Sequence, residues 1–509
     1  MMGIKNIRLF EKIDKREFFL LFSIIFIGVI LRIYNLGIRD FWYDEVHSIY
    51  FLDDIKNINI LKIILHPQPP FYYMLLSIWN NFGGSEFYLR LLSAILGIVS
   101  ILMMYQLGKI YFDRRVGLMA AFFLSISPFH IWYSQELRPY CLIAFLAITQ
   151  AYFFAKTIER HKKFWIPFCI VSILGIYTSY FFIFLVFSTG TIFFIKSYKD
   201  SVTRWLWSCW IIFIAFILYV YHYFTAIHLM KDVFWAPKIT LKSFFMIFAN
   251  LNMGYNCSVK FYHISLILFL ILFIFGLYSF RTKKSLLFVS FFAVPLTAIF
   301  FTSQLIPVFI SRNLVLIFPF YCCIIAAGVI GIKSRILKII AFSLLVFFFS
   351  FSLKNYYSNY MPTPEYPYHI GAHRKASFKL AVKYINSNFQ KGDIIAHANL
   401  GTIAPFEYYS GERDRQYFFF FPPALCLYER ENINITKSER PSVIIDVREV
   451  FDKYEFKRIW LLLSSWDRDG TLDANSKIVK EYVEKYYVIE SSKNMDGMLV
   501  NLYVKKNHT

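Results

Sequence analysis

Two adjacent carboxylates, Asp44 and Glu45, stand in the stretch Phe41-Trp42-Tyr43-Asp44-Glu45-Val46-His47-Ser48-Ile49-Tyr50, with four aromatic rings and an imidazole. A carboxylate can take a proton from an attacking hydroxyl. A second cluster, Leu65-His66-Pro67-Gln68-Pro69-Pro70-Phe71-Tyr72-Tyr73, has prolines that hold the chain extended before an aromatic helix. A third, Tyr133-Ser134-Gln135-Glu136-Leu137-Arg138-Pro139-Tyr140, sets a carboxylate and a guanidinium two residues apart. Arg312 is the first charge after an uncharged run from Ser285 to Ser311. A guanidinium forms paired hydrogen bonds to phosphate. Together these residues suit an anionic, lipid-linked substrate held beside a base. For Glu136 and Arg138 a second reading stays open, a pair that meets only each other; Arg312 can equally be an anchor at the membrane edge.

The elements that must position them are membrane helices. Of the 509 residues, 57% are hydrophobic and only 17% charged, against about a quarter charged in soluble domains. Apolar runs at about 18–36, 86–108, 116–133, 139–155, 164–179, 181–195, 205–228, 262–280, 285–302, 312–332 and 335–353 approach or reach the ~20 residues that cross a bilayer. These eleven spans rise to as many as thirteen if segments such as Pro69–Trp79 also insert. No small-residue cleavage site follows the first run, so it is expected to be retained.

Charge fixes an expected orientation. Residues 1–360 carry 33 Lys/Arg against 14 Asp/Glu, and residues 361–509 carry 21 against 19. The net charge of +21 therefore belongs to the membrane part and does not point to nucleic acid. Lys5, Arg8, Lys12, Lys15 and Arg16 precede the first span, and every second connection after it is basic, among them Lys109…Arg114-Arg115 and Arg281…Lys283-Lys284. The positive-inside rule then puts the N-terminus in the cytoplasm of a plasma or inner membrane. The opposite, extracytoplasmic face receives the 37–85 loop, the Tyr133–Tyr140 stretch, the 229–261 loop, the Ser303–Arg312 turn and everything after Lys354. The seven cysteines have no CxxC or metal spacing.

Two domains are expected, 1–358 in the membrane and a soluble α/β domain at 359–509. In the second, His373–Phe389 and Ile478–Tyr486 have helical spacing. Asp393-Ile-Ile-Ala, Ser442-Val-Ile-Ile-Asp, Arg458-Ile-Trp-Leu-Leu-Leu-Ser and Met498-Leu-Val-Asn-Leu-Tyr-Val read as strands.

Taken together and in order, Trp42-Tyr43-Asp44-Glu45, Pro69-Pro70-Phe71-Tyr72-Tyr73, Tyr133–Tyr140 and Ser311-Arg312-Asn313 resemble the GT-C glycosyltransferases of the protein O-mannosyltransferase and lipid A aminoarabinose transferase type. The resemblance covers roughly the first 330 residues. It implies a polyprenyl-phosphate sugar donor entering from membrane lipid, an acceptor protein, lipid or polysaccharide, inversion at the sugar, and no metal or other cofactor. By position, Asp44 resembles the catalytic aspartate with Glu45 beside it. Arg138, His66, Gln68 and Arg312 fall to the donor phosphate, and Glu136, Tyr72 and Tyr140 to the acceptor or to support. Gln68 stands where relatives often carry His or Lys before the proline pair, and His66 lies two residues back. A transporter or flippase of lipid-linked glycans is the rival reading, weakened because the charges lie at span ends rather than mid-membrane.

Overall fold

In a computed structural model, the described residues are 14–506 apart from 57–67, 160–161, 195–198, 232–235, 237, 279–282, 363–371, 373, 412–415, 421–442, 449–450, 452–454, 465–471 and 473. All eleven apolar runs are helical. They correspond to α1 (Lys15–Ile33), α4 (Glu86–Tyr111), α5 (Arg114–Ile126) continued by α6 (Pro128–Ser134), α7 (Tyr140–Ile158), α8 (Trp165–Ile176) and α9 (Phe182–Ser188). After these come α10 (Lys199–Lys231), α12 (Val259–Tyr278), α13 (Lys283–Thr302), α14 (Phe318–Gly331) and α15 (Arg335–Tyr357). Among the described residues, α4, α7, α12 and α15 are each long and apolar enough to cross a membrane, and α5–α6 does so if counted as one span. The rest of the bundle is α1, of 19 residues, and shorter apolar stretches in α8, α9, α10, α13 and α14. The loops also hold helices: α2 (Tyr43–Lys56), α3 (Phe71–Asn80) and α11 (Leu241–Met253).

The 116–133 run is not straight. It bends by 59° between α5 and α6, where Ser127 caps α6, its side chain accepting from His130 N, and Pro128 takes the first turn. A break inside a membrane helix frees carbonyls that lipid cannot satisfy. Arg32, fully buried in α1, supplies the donors. Its Nη1 and Nη2 reach Ser125 O and Leu124 O at 2.9 Å, and its Nε reaches Ser134 Oγ at 3.2 Å. Elsewhere glycine permits close crossing: a Cβ on Gly276 would collide with Ile324 O, and one on Gly328 with Leu272 O, so α12 and α14 meet backbone to backbone.

The C-terminal domain has a six-stranded sheet: β1 (Ile394–His397), β2 (Gln416–Phe420), β3 (Val443–Asp446), β4 (Arg458–Ser464), β5 (Tyr487–Asn494) and β6 (Met498–Lys505). The order is β3-β2-β1-β4-β6-β5, parallel through β3-β2-β1-β4 and antiparallel at β4-β6-β5. Helices α16 (Phe378–Asn388), α17 (Leu400–Ser410) and α18 (Ala474–Tyr486) accompany it. Side chains alternate along β4: Ile459, Leu461 and Leu463 join one core with Val479 and Val483 of α18, and Trp460 and Leu462 join another with Phe378, Ile385 and Phe406. The expected strands and helices are present; β2, β5 and α17 are additions. Strand β2 is Gln416 followed by four aromatic residues, Tyr-Phe-Phe-Phe, with no apolar–polar alternation to mark it.

Arg32→Met keeps the apolar stem but leaves Leu124 O and Ser125 O without donors. We expect a loss on the order of 1–3 kcal/mol per orphaned group at most, read as a lower thermal midpoint of the detergent-solubilised protein. An unchanged midpoint would show that other groups satisfy the break.

Candidate active site

Helix α2 begins where the sequence places its two acids. Both fall in its first turn, where the unpaired N–H groups and the helix dipole favour negative charge. Successive helical residues point about 100° apart, so Asp44 and Glu45 take different roles.

Glu45 turns inward and is completely buried. Arg90, one turn into α4, grips it with a two-pronged fork, Nε to Oε1 and Nη2 to Oε2, both 2.7 Å. Arg90 Nη1 also donates to Leu36 O (3.2 Å) and Arg39 O (2.7 Å), and its Nη2 to Asp40 O (3.1 Å). One guanidinium therefore ties the α1–α2 connection to α4. Leu137 N donates to Glu45 Oε1 (2.9 Å), and Lys375, in the segment before α16, donates to Oε2 (3.2 Å). Burial alone would raise the Glu45 carboxyl, but Arg90 and Lys375 overcome it and hold it down, at about 2.

Asp44 stays partly exposed. Its Oδ2 accepts from Arg312 Nη1 at 2.9 Å, and these side chains keep 19% and 15% exposure. Arg312 lies in the 3₁₀ turn Ser311–Leu316 that leads into α14. Its neighbours fix that turn: Ser311 Oγ accepts from Asn250 Nδ2 of α11 (3.0 Å), and Asn313 Nδ2 donates to Val308 O (2.7 Å).

The stretch between α6 and α7 spreads its side chains to four partners. Tyr133 OH meets Tyr255 OH (2.5 Å), and Gln135 Nε2 caps the end of α1 through Arg32 O (2.9 Å) and Tyr34 O (2.8 Å). Glu136 Oε1 accepts from Trp132 Nε1 (2.7 Å). Arg138 Nη1 lies 3.3 Å from both Asp44 O and Ser48 Oγ. Glu136 and Arg138 thus serve different partners. Burial raises the Glu136 carboxyl, with Lys375 opposing and the Glu45 and Asp44 charges adding to the rise. Among the described residues, Arg138 Nε is buried with no hydrogen-bond acceptor.

Tyr72 OH bonds Ser93 Oγ (3.0 Å), which in turn donates to Arg138 O (3.4 Å), so Tyr72 supports the arginine from beneath. Tyr140 stacks at an angle on Tyr133, with ring centroids 4.5 Å apart. Gln68 accepts from Tyr73 OH. His66 lies outside the described residues, as do the side chains of Asp53 and Asp54.

The C-terminal domain closes one side of the same loop. Lys379 N donates to Asp40 Oδ2 (2.8 Å), and its ammonium pairs with Glu86. Tyr409 OH accepts from Phe41 N (2.7 Å) and donates to Glu86 Oε1 (3.0 Å), and Tyr50 OH reaches Ala404 O (3.3 Å). Two central residues, Arg90 and Lys375, were not anticipated from sequence. Arg90 had a signal, a cation lying inside an apolar span; Lys375 had none, being one lysine among many in a water-soluble stretch.

The bundle with its charged loop cluster and appended sheet domain is the GT-C glycosyltransferase fold, as the sequence resemblance implies. The structure is similar to that of ArnT from Cupriavidus metallidurans in the apo state, with a TM-score of 0.58 at 10% identity over 96% of this chain and 98% of that one. It is equally similar to the same protein bound to undecaprenyl phosphate (TM-score 0.58, 10% identity, 95% and 97% covered). The arabinofuranosyltransferase AftD from Mycobacteria matches at a TM-score of 0.51 and 10% identity, over 98% of this chain and 40% of that one. Residues 66–223 match the family model described as dolichyl-phosphate-mannose-protein mannosyltransferase. No curated protein matches the sequence.

A carboxyl held near 2 when folded, against an ordinary 4.5, contributes stability that is present above pH ~4.5 and lost as the pH falls toward 2. The thermal midpoint of the wild type should therefore fall through that window. In Glu45→Gln it should start lower at neutral pH and fall less on acidification. Parallel acid profiles for the two proteins would remove Glu45 from this role.

Proposed function

We propose that the protein is an inverting glycosyltransferase of the membrane, moving a sugar from a polyprenyl-phosphate donor to an extracytoplasmic protein, lipid or envelope glycan, with Asp44 as general base. The observation that carries this reading is the Asp44–Arg312 pair: a carboxylate and a guanidinium 2.9 Å apart that keep access to the outside while Glu45, Glu136, Arg90 and Arg138 around them are buried.

In this scheme the donor phosphate displaces Asp44 as the partner of Arg312, with Arg138 Nε a second donor. The carboxyl groups of Asp40, Asp44, Glu45 and Glu136 meet Arg39, Arg90, Arg138, Arg312 and Lys375, an excess of cations that favours an anion. Asp44 takes the proton of the acceptor hydroxyl as its oxygen attacks the anomeric carbon from the face opposite the phosphate. The C–O bond to phosphate breaks, its electron pair leaves with the polyprenyl phosphate, and the configuration inverts. A cation-held phosphate leaves without protonation, so no second acid of the glycosidase kind is needed. His66 and Gln68 are kept as donor-side candidates, with Gln68 acting beside Tyr73. Glu45 supports α2 from within, while Glu136, Tyr72 and Tyr140 stand behind the base and Arg138. A flippase offers no use for an accessible carboxylate paired with arginine at a loop.

Asp44→Asn should fold and bind undecaprenyl phosphate yet lose about a hundred- to ten-thousand-fold in turnover, measured as polyprenyl phosphate released from a panel of polyprenyl-phosphate sugars. Transfer at the wild-type rate would defeat the assignment. Arg138→Lys keeps the charge without the fork and should weaken donor use by about tenfold.

Orientation is tested separately. A cysteine at Lys391, exposed in the C-terminal domain, should react with an impermeant thiol reagent in intact cells, and one at Lys333 should not. The reverse pattern would put the site on the cytoplasmic side.

A further inference from the structure

Lys375 is the most unexpected charge in the molecule. Its side chain is 5% exposed, and it comes from residues 374–377, the segment that enters the C-terminal domain, yet its ammonium ends in the membrane domain, 3.2 Å from Glu45 Oε2. The charged groups that face it come from every side: Glu45 of α2, Arg90 of α4, Arg39 of the α1–α2 connection and Glu136 of the α6–α7 connection. Glu45 does not need it for neutrality, because Arg90 already supplies a two-pronged partner and Leu137 N a third donor.

We propose that Lys375 is a positioning residue of the transfer centre: a cation delivered by the C-terminal domain that balances the Glu45–Glu136 side of the cluster, fixes the first turn of α2 and thereby aims Asp44. This rests on the transferase reading above for what Asp44 does, but not for how α2 is held. Geometry supports it. Arg90 of α4 bonds both oxygens of Glu45, Leu137 N adds to Oε1 and Lys375 adds to Oε2, so the residue next to Asp44 cannot rotate without breaking these bonds. The same domain also holds the flanks of that turn, at Asp40 and Phe41 before it and at Tyr50 after it.

Energetics separates this role from simple bracing. Burial depresses the Lys375 ammonium, with Glu45 opposing and Arg90 deepening the effect, so its charge is carried at a net cost that its partners do not fully offset. Removing one member of a buried pair is strongly destabilising when it leaves the other charge uncompensated; Glu45 keeps Arg90 and Leu137 N, so that penalty does not arise.

The test uses the full-length protein with Lys375→Met and Lys375→Arg. The Met variant should keep or raise the thermal midpoint, while backbone amides of residues 43–48 exchange with deuterium at least about threefold faster. With polyprenyl-phosphate mannose as donor, its kcat should fall about tenfold or more while KM for the donor stays within about twofold. The Arg variant should restore slow exchange and most of kcat. A lower midpoint with unchanged exchange and unchanged kcat per folded molecule would make Lys375 a brace and overturn the proposal, as would faster exchange that Arg fails to correct. Exchange is read without turnover, so it judges Lys375 even if that donor is not used. Asp44→Asn judges the transferase reading independently.

Discussion

The Arg90–Glu45 fork is the joint on which the site depends. A carboxylate with no solvent exposure can stay ionised only if cations and N–H groups replace its water, and here each oxygen of Glu45 has two strong donors. Because Arg90 also gathers the carbonyls of Leu36, Arg39 and Asp40, the chain leaving α1 has one course to α2. Asp44 inherits its direction from that course. The buried acid thus fixes the orientation of the partly exposed acid beside it.

The same logic recurs around the bundle. Arg32 in α1 and Gln135 between α6 and α7 satisfy carbonyls that a broken helix and a helix end leave open. Each motif that looked like a cluster of reactive groups in the sequence is in part a set of such repairs. In Tyr133–Tyr140, the Tyr, Gln and Glu are occupied with Tyr255, α1 and Trp132, and the arginine keeps one donor unused among the described residues.

Much of this was legible beforehand. Membrane helices announce themselves by length and apolarity, and all eleven runs are helical, a conformation that satisfies every backbone group within one segment, as a bilayer requires. The Asp44-Glu45 pair, Arg138 and Arg312 stood out as charges at span ends, and they do converge. The bend at Ser127-Pro128 was readable from the proline but was passed over, because the apolar run continues through it. Helices α2 and α11 were hidden in loops whose composition is mixed, whereas the aromatic helix expected after Pro70 is α3. The partition of labour between Asp44 and Glu45 could not be read, since it depends on which side of a helical turn meets Arg90. Lys375 could not be read either, because its partner is 330 residues away in sequence.

That separation also orders events during synthesis. A chain made from its N-terminus completes the bundle, including Asp44, Arg90, Arg138 and Arg312, before residues 372–410 exist. Until then the pocket of Glu45 lacks its outer ammonium, and the flanks of α2 lack Asp40's and Phe41's partners, Lys379 and Tyr409. A nascent or prematurely ended chain would hold Asp44, Glu45, Arg90, Arg138 and Arg312, but not Lys375, Lys379 and Tyr409. The end of the polypeptide thereby completes the cluster: the outer partner of Glu45 is in place only after the C-terminal domain has been made and folded.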